Sequence, residues 1–559
     1  MSIEIVPLYV IQLALLLLPG LAVTATVADK QTLRPIYAVI TALTVSASFG
    51  YAAFWIYLES KLVGRIFSFA VIAISAGALA RALKNRQIRI LMKNIAGPCG
   101  YALTVGVCYL CLFFLFSEPF SSRVDLANER FFKDVRPGDN LIPFIFAERI
   151  YDRQPLRPFC CGDWLSSDRP PLQVGIFLLQ RPIRIFGNTG LQYQLLATAL
   201  QCLWLCGVWT LLEALRAPPH RMRQVLGFLV FSGFLFYNSV YTWPKLLSAT
   251  FMLFAFSIVI LVATEDRRIT AFEIALASAS ISLAILAHPG SVFSLPALLL
   301  ILIRKRRRLT LPKCVLAGFI IAVFLLPWIA YQKLYDPPGN RLLKMHLAGV
   351  GGIDSRSVAQ AIWDAYRTRS LAVVLKYKWT NLSTLLGPEP AAGFGIAGNA
   401  RFAQREYIWN SIGVLNIGWL TALAAFLSKK NLRAVPYAGW IILAALIDFL
   451  VWSLLIFGPH GTITTHGSCA DILLLSIGLL GFVLTLPSLA ILLLLALQLF
   501  NFFFVWVLFR PAAIPTVISG ASAPVLQVPL LIVGLLCTGV LLWYFAGPHN
   551  SQVEVEPQR

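Results

Sequence analysis

Apolar residues run through this chain in long stretches, with polar residues in short bursts between them. Read as helices, the runs fall near 6–28, 36–58, 66–81, 95–117, 191–214, 224–240, 246–264, 270–287, 289–303, 314–331, 411–427, 436–457, 470–485, 487–510 and 528–546. A helix of about 20 apolar residues crosses a ~30 Å hydrocarbon core, so the pattern predicts an all-α polytopic membrane protein with about 15 transmembrane helices. Two long stretches, 118–190 and 332–410, break the rhythm. Both read as loops carrying amphipathic surface helices.

Charge sets the orientation. Lys30 and Arg34, the cluster from Arg81 to Lys93, then Arg216, Arg221 and Arg223, Arg267 and Arg268, Arg304 to Arg308, and Lys429, Lys430 and Arg433 fall in every second short loop. The positive-inside rule makes that side cytoplasmic and both long loops extracytoplasmic. The expected organisation is a three-helix N-terminal extension over 1–94, a core over 95–546 and a cytoplasmic tail over 547–559. "MSIEIVPLYVIQLALLLLPG" has an acidic Glu4 where a signal peptide has a basic region and reads as an uncleaved helix, with "TATVA" before Asp29 as the alternative, a cleavage site. The chain is 58% hydrophobic and 13% charged. Its net charge of +21 therefore reports topology and does not point to nucleic acid.

The same reading removes several chemistries. There is no GxxxxGK[ST] loop to cradle a nucleotide and no His/Cys spacing for zinc. Any reaction must run on an activated substrate or a gradient. Of ten cysteines, Cys160, Cys161 and Cys469 fall in outer loops, where an oxidising compartment would permit a disulfide.

The first long loop holds "GDNLIPFIFAERIYDRQ" and "GDWLSSDRPPLQVGIFLLQ". Leu141, Ile142, Ile145, Phe146 and Ile150 recur near helical spacing, which predicts an amphipathic helix on the membrane surface, with Asp139 and Asn140 at its start. Asp139 is either an N-cap or a functional carboxylate. Pro170 and Pro171 open a second apolar segment and hold Asp168 and Arg169 beside its mouth, where the alternative is an interfacial ion pair.

An acidic residue opening a surface helix, followed by "DRPPL" at 168–172, resembles the GT-C superfamily of membrane glycosyltransferases, closest to its protein O-mannosyltransferase and aminoarabinose-transferase branch. The motif likeness covers roughly 95–190. This chain departs from the pattern in its three extra leading spans, in Asn140 where a second acid is often seen, and in lacking a large soluble C-terminal domain.

The resemblance implies inverting transfer of a sugar from a polyprenyl-phosphate carrier to a glycan, lipid or protein acceptor on the outer face of a bacterial inner (plasma) membrane. Asp139 would be the general base, and positive charge would meet the departing phosphate. Candidate phosphate-binding residues are Asp168, Arg169, Lys245, His288, Arg341, Lys344, His346 and His466. Each has a plainer reading: Lys245 as a snorkelling lysine beside Trp243, His288 as a structural loop histidine, and Arg341 with Lys344 and His346 as a solvated basic face. In "FGPHGTITTHGSCADILLL", Asp471 is either a helix cap or part of a site with His466. No residue set marks a metal site, and a divalent Mg or Mn is left open as cofactor. Two other functions are kept: an O-antigen polymerase or ligase, and a lipid-linked-sugar flippase or transporter in which Asp448 would matter.

Overall fold

The computed structural model describes residues 4–30, 33–116, 139–159, 164–183, 188–304, 310–386, 408–428, 437–458, 467–508 and 526–546. These are helical, with turns and no strands. In chain order the helices are α1 (Ile5–Lys30), α2 (Pro35–Glu59), α3 (Lys61–Ala82), α4 (Arg86–Phe113), α5 (Ile142–Tyr151), α6 (Leu172–Gln180), α7 (Thr189–Cys202) and α8 (Trp204–Ala214). Next come α9 (Pro219–Val230), α10 (Gly233–Val240), α11 (Lys245–Thr264), α12 (Ala271–Ala287), α13 (Leu295–Arg304), α14 (Leu311–Leu334), α15 (Arg341–Ala348) and α16 (Val358–Arg367). The remainder are α17 (Leu371–Leu386), α18 (Ile408–Ile412), α19 (Ile417–Ser428), α20 (Ala438–Leu455), α21 (Cys469–Val483), α22 (Ser488–Asn501) and α23 (Val528–Ala546).

Among the described residues, eleven helical stretches are long and apolar enough to cross a membrane, and three shorter apolar helices, 271–287, 289–303 and 469–483, accompany them. The run expected at 224–240 is two helices: α9 ends at Val230 and α10 starts at Gly233. α14 exposes Leu311, Val315, Phe319, Val323 and Leu326 along its length, and α20, α22 and α23 expose comparable apolar faces. Water would make such faces costly, whereas lipid tails are a favourable solvent for them. The protein is a multi-pass membrane protein.

Local chemistry sets the helix ends. Asn85, Asn188, Thr270 and Ser468 cap α4, α7, α12 and α21 by accepting from backbone N–H groups two or three residues on. Inside, α1 and α2 pack with α4, α6, α7 and α8 in one apolar core that holds Tyr9, Phe54, Tyr109 and Trp204. α2 and α6 approach so closely that a Cβ on Gly175 would lie 2.2 Å from the Gly50 carbonyl oxygen. Only glycine fits there.

The helix expected on the membrane surface does form, as α5, but it lies against protein. Ile142, Phe146, Ala147, Ile150 and Tyr151 are buried, and Phe146 meets Phe54, Phe159 and Tyr331 edge-on or tilted. Once α2 and α6 present an apolar groove, the same apolar stripe that would suit a headgroup boundary is satisfied inside the protein.

At one end of the bundle, charges of alternate short loops interlock. Arg34 Nη1 meets Glu265 at 2.6 Å, Arg267 Nε meets Glu265 at 2.6 Å, and Arg267 Nη1 reaches Glu273 at 2.9 Å. Glu273 also accepts from the Tyr37 hydroxyl and from Thr270 N–H. These arginines tie the α1–α2 turn to the α11–α12 turn.

Candidate functional site

The stretch "SSDRPP" is where the two long loops meet. Ser166–Asp168 form a single 3-10 turn, buried, and both of its flanks are held by residues of the second loop. On one flank Asp336, 1% exposed, accepts from Ser166 Oγ, from Ser167 N–H at 2.8 Å and from Arg157 Nε at 2.9 Å. Ser166 Oγ also lies 2.7 Å from the Tyr331 hydroxyl, and the Tyr331 ring stacks between Trp328 and Tyr335.

On the other flank Arg341, from the first turn of α15, forks onto Asp168 Oδ2 through Nε at 3.0 Å and Nη2 at 2.9 Å. Leu165 N–H donates to the same oxygen at 2.9 Å. Burial lifts the Asp168 carboxyl above the ordinary range, while the Arg341 and Leu165 hydrogen bonds and the charges of Arg341 and Arg169 pull it back.

An ion pair between the neighbours Asp168 and Arg169, the plainer reading of that dipeptide, does not form. Arg169 Nη1 donates to the Asp168 backbone carbonyl at 3.2 Å, and its guanidinium lies between two indoles, 5.1 Å from the Trp164 ring and 5.7 Å from the Trp243 ring. Arg341 covers Trp164 at 5.0 Å, and Lys245 Nζ sits 3.5 Å from the centre of Trp243. The His288 ring meets Trp243 edge-on with centroids 6.1 Å apart. Arg341, Trp164, Arg169, Trp243 and Lys245 thus alternate cation with indole, a geometry in which the ring faces stabilise positive charge withdrawn from water. Lys245 is 1% exposed, so the snorkelling reading fails. His288 has a structural duty as well: its Nδ1 accepts from Gly290 N–H at 3.1 Å and starts the turn 289–294.

A buried hydrogen-bonded rail joins this cluster to the turn that begins with Asp139. Tyr193 OH donates to the Asn140 carbonyl at 3.3 Å, and Gln173 Nε2 donates to the Tyr193 hydroxyl at 2.7 Å and to the Thr242 carbonyl at 2.9 Å. Gln201 Nε2 donates to Gln173 Oε1 at 3.0 Å, and Gln201 Oε1 accepts from Leu246 and Leu247 N–H at 3.1 and 3.0 Å, the first turn of α11. Thr242, just before Trp243, has φ of 61°. A β-branched residue in the left-handed region costs about 1–3 kcal/mol and persists only where its surroundings fix it, a condition often met at functional sites.

Of the residues expected to form one site, Asp168, Arg169, Lys245, His288 and Arg341 are brought together. Lys344 and His346 are not at the indoles: Lys344 Nζ donates to the Asp354 carbonyl at 2.6 Å, and the His346 carbonyl accepts from Phe457 N–H at 2.9 Å. Asp139 opens the 3-10 turn Asp139–Leu141, and α5 begins after it, at Ile142. The Asp139 side chain, His466, Cys160 and Cys161 lie outside the described residues.

Asp471 is buried one turn into α21, whose cap is Ser468. It faces Asp448. Among the described residues no three His, Cys, Asp or Glu side chains converge as a metal site.

Trp164, Gln173 and Gln201 are the members that the sequence did not single out. The two glutamines had a visible signal, since a polar amide inside an apolar run needs a partner. Trp164 had none, and Asp336 stood out only as one of the charged residues grouped with Arg341, Lys344 and His346. No family model matches the chain, and neither curated proteins nor solved structures include one that matches it.

Proposed function

We propose that this protein is a glycosyltransferase of the GT-C type, which moves a sugar from a polyprenyl-phosphate carrier to an acceptor hydroxyl on the extracytoplasmic face of a bacterial inner membrane. The observation that carries the reading is the indole-walled basic cluster. Arg169, Lys245 and Arg341 gather on the faces of Trp164 and Trp243 beside Asp168, within a bundle whose neighbouring surface suits lipid. An anionic headgroup on an apolar tail is the chemistry such a place recognises.

In the proposed reaction the acceptor oxygen attacks the anomeric carbon from the face opposite the phosphate, and the carbon–oxygen bond to phosphate breaks with inversion. Asp139 takes the hydroxyl proton, because an alcohol is too weak an acid to ionise by itself at neutral pH. Arg169 and Lys245 meet the charge that develops on the departing phosphate, and preorganised cations lower the barrier because no reorganisation is needed at the moment of reaction. Arg341 serves mainly as the latch on Asp168. The buried Tyr193–Gln173–Gln201 rail supports the reading by coupling the Asp139 turn to the Lys245 turn.

The test is transfer of radiolabelled sugar from a panel of synthetic polyprenyl-phosphate donors to membrane extracts, with the purified protein and its Asp139→Asn variant. Loss of transfer in the variant is the expected result. Undiminished transfer would remove Asp139 as base and favour a polymerase or ligase. A second reading, a flippase for a lipid-linked sugar, is favoured by the buried acidic pair Asp448 and Asp471; it predicts movement of the donor across proteoliposomes with no new glycosidic bond.

A further inference from the structure

We propose that Asp448 and Asp471 hold a single proton between them, making a buried acid–carboxylate site that clasps α20, α21 and the start of α13. The inference is independent of whether the protein transfers or translocates its substrate. Both residues are fully buried, and each has one oxygen occupied by a protein donor. Asp448 Oδ1 accepts from Ala297 N–H at 2.9 Å, and Asp471 Oδ1 accepts from Ser294 Oγ at 2.6 Å, with Ser468 Oγ 2.7 Å from Ser294 Oγ. The second oxygen of each, Oδ2, is equally buried and meets no protein donor. Ser294 and Ala297 belong to one turn at the start of α13, so the two carboxylates converge on the same place. Ionised carboxylates only accept hydrogen bonds, so contact between them requires a proton on one. Two bare charges there would add like-charge repulsion to the cost of desolvating each.

Among the described residues no counter-charge takes its place: on α9, which packs on α21, Arg221 Nη1 donates to the Leu484 carbonyl and Arg223 covers Tyr544. α20 and α21 carry no other charged residue. α19 and the turn Pro289–Ser294 carry none. On α11, Lys245 is held over Trp243; on α17, Lys378 Nζ donates to Tyr366 OH and the Ile456 carbonyl, and Lys376 lies on an exposed position. Arg304 closes α13 at its far end. The plainer role, in which Asp448 caps α13 through Ala297, accounts for one oxygen of four and explains neither Oδ2. The site also joins the proposed substrate cluster: the turn Pro289–Ser294 starts at His288, beside Trp243, and ends at Ser294, on Asp471. Loss of the proton would put a second charge under that turn.

The experiment is infrared spectroscopy of the full chain in lipid nanodiscs, with aspartate labelled by 13C at the carboxyl. Expected is a carboxylic-acid carbonyl band at about pH 7 that disappears in Asp471→Asn, whose amide supplies the missing donor to Asp448. Asp471→Glu moves the same band to the unlabelled position, which keeps the assignment decidable if the Asn variant does not fold. Measured against Asp471→Asn, the thermal midpoint of the wild type should fall as pH rises above neutral. A band unchanged in both variants would overturn the proposal. So would a midpoint that rises with added sodium or magnesium and is lost on acidification, because a metal cation would then be holding the two carboxylates.

Discussion

Replacing Arg341 with Met tests the join between the two long loops. Asp168 has a side chain 2% exposed and Arg341 one 10% exposed, so the pair is a buried ion pair. Removal of one partner of such a pair costs about 3–5 kcal/mol, because the other charge is stranded, whereas an exposed pair is worth about 1 kcal/mol or less. Loss of the stacking of Arg341 on Trp164 adds roughly 0.5–1 kcal/mol. The double variant Asp168→Asn with Arg341→Met strands no charge and should recover most of the loss. Reversible unfolding in mixed detergent micelles gives the four corners of the cycle.

The pH dependence is fixed in sign. Burial lifts Asp168 above the ordinary carboxylate range, so the folded state binds more protons than the unfolded one, and its contribution, full below about pH 4, is lost as pH rises through the folded value. Arg341 is the leading influence holding that value down. Without it the window extends upward, and the Arg341→Met deficit should be larger near pH 8 than near pH 5, taking these as approximate working points. A single-variant cost under about 1 kcal/mol, or a deficit that shrinks with rising pH, would refute the claim that Asp168 depends on Arg341.

Further outcomes follow from particular contacts. Thr242→Gly should relieve about 1–2 kcal/mol of left-handed strain while loosening Trp243, so thermal stability rises as sugar transfer falls. Gly175→Ala drives a Cβ against the Gly50 carbonyl, a backbone atom that cannot step aside, and should cost at least about 1–3 kcal/mol, read as a lower folded fraction on size-exclusion chromatography. Burial pushes the Lys378 ammonium down to about 8. The folded state then binds fewer protons than the unfolded one between that value and the ordinary lysine range, so the contribution of Lys378 rises with pH, read as a wild-type midpoint that gains on that of Lys378→Met between about pH 8 and about pH 10.

The hydrophobic pattern by itself determined most of the helices and their membrane setting, because a ~30 Å apolar solvent leaves few arrangements open to runs of this length. It also placed Asp168, Arg169, Lys245, His288 and Arg341 at one end, because alternation of short loops is a one-dimensional property. Partners were beyond it. Asp168 chose Arg341, 173 residues away, over its neighbour Arg169, and Asp336 closed on Ser166, 170 residues away, because desolvated charges pair by fit in space. The stripe on α5 could satisfy itself on lipid or on protein, and only the groove between α2 and α6 decided which. The break between α9 and α10 falls at Ser232 and Gly233, a short turn signal inside a run apolar enough to read as one helix. In the sequence Asp448 stood alone in an apolar run, and Asp471 was a helix cap or a partner of His466. Packing of α20 against α21 made them one site.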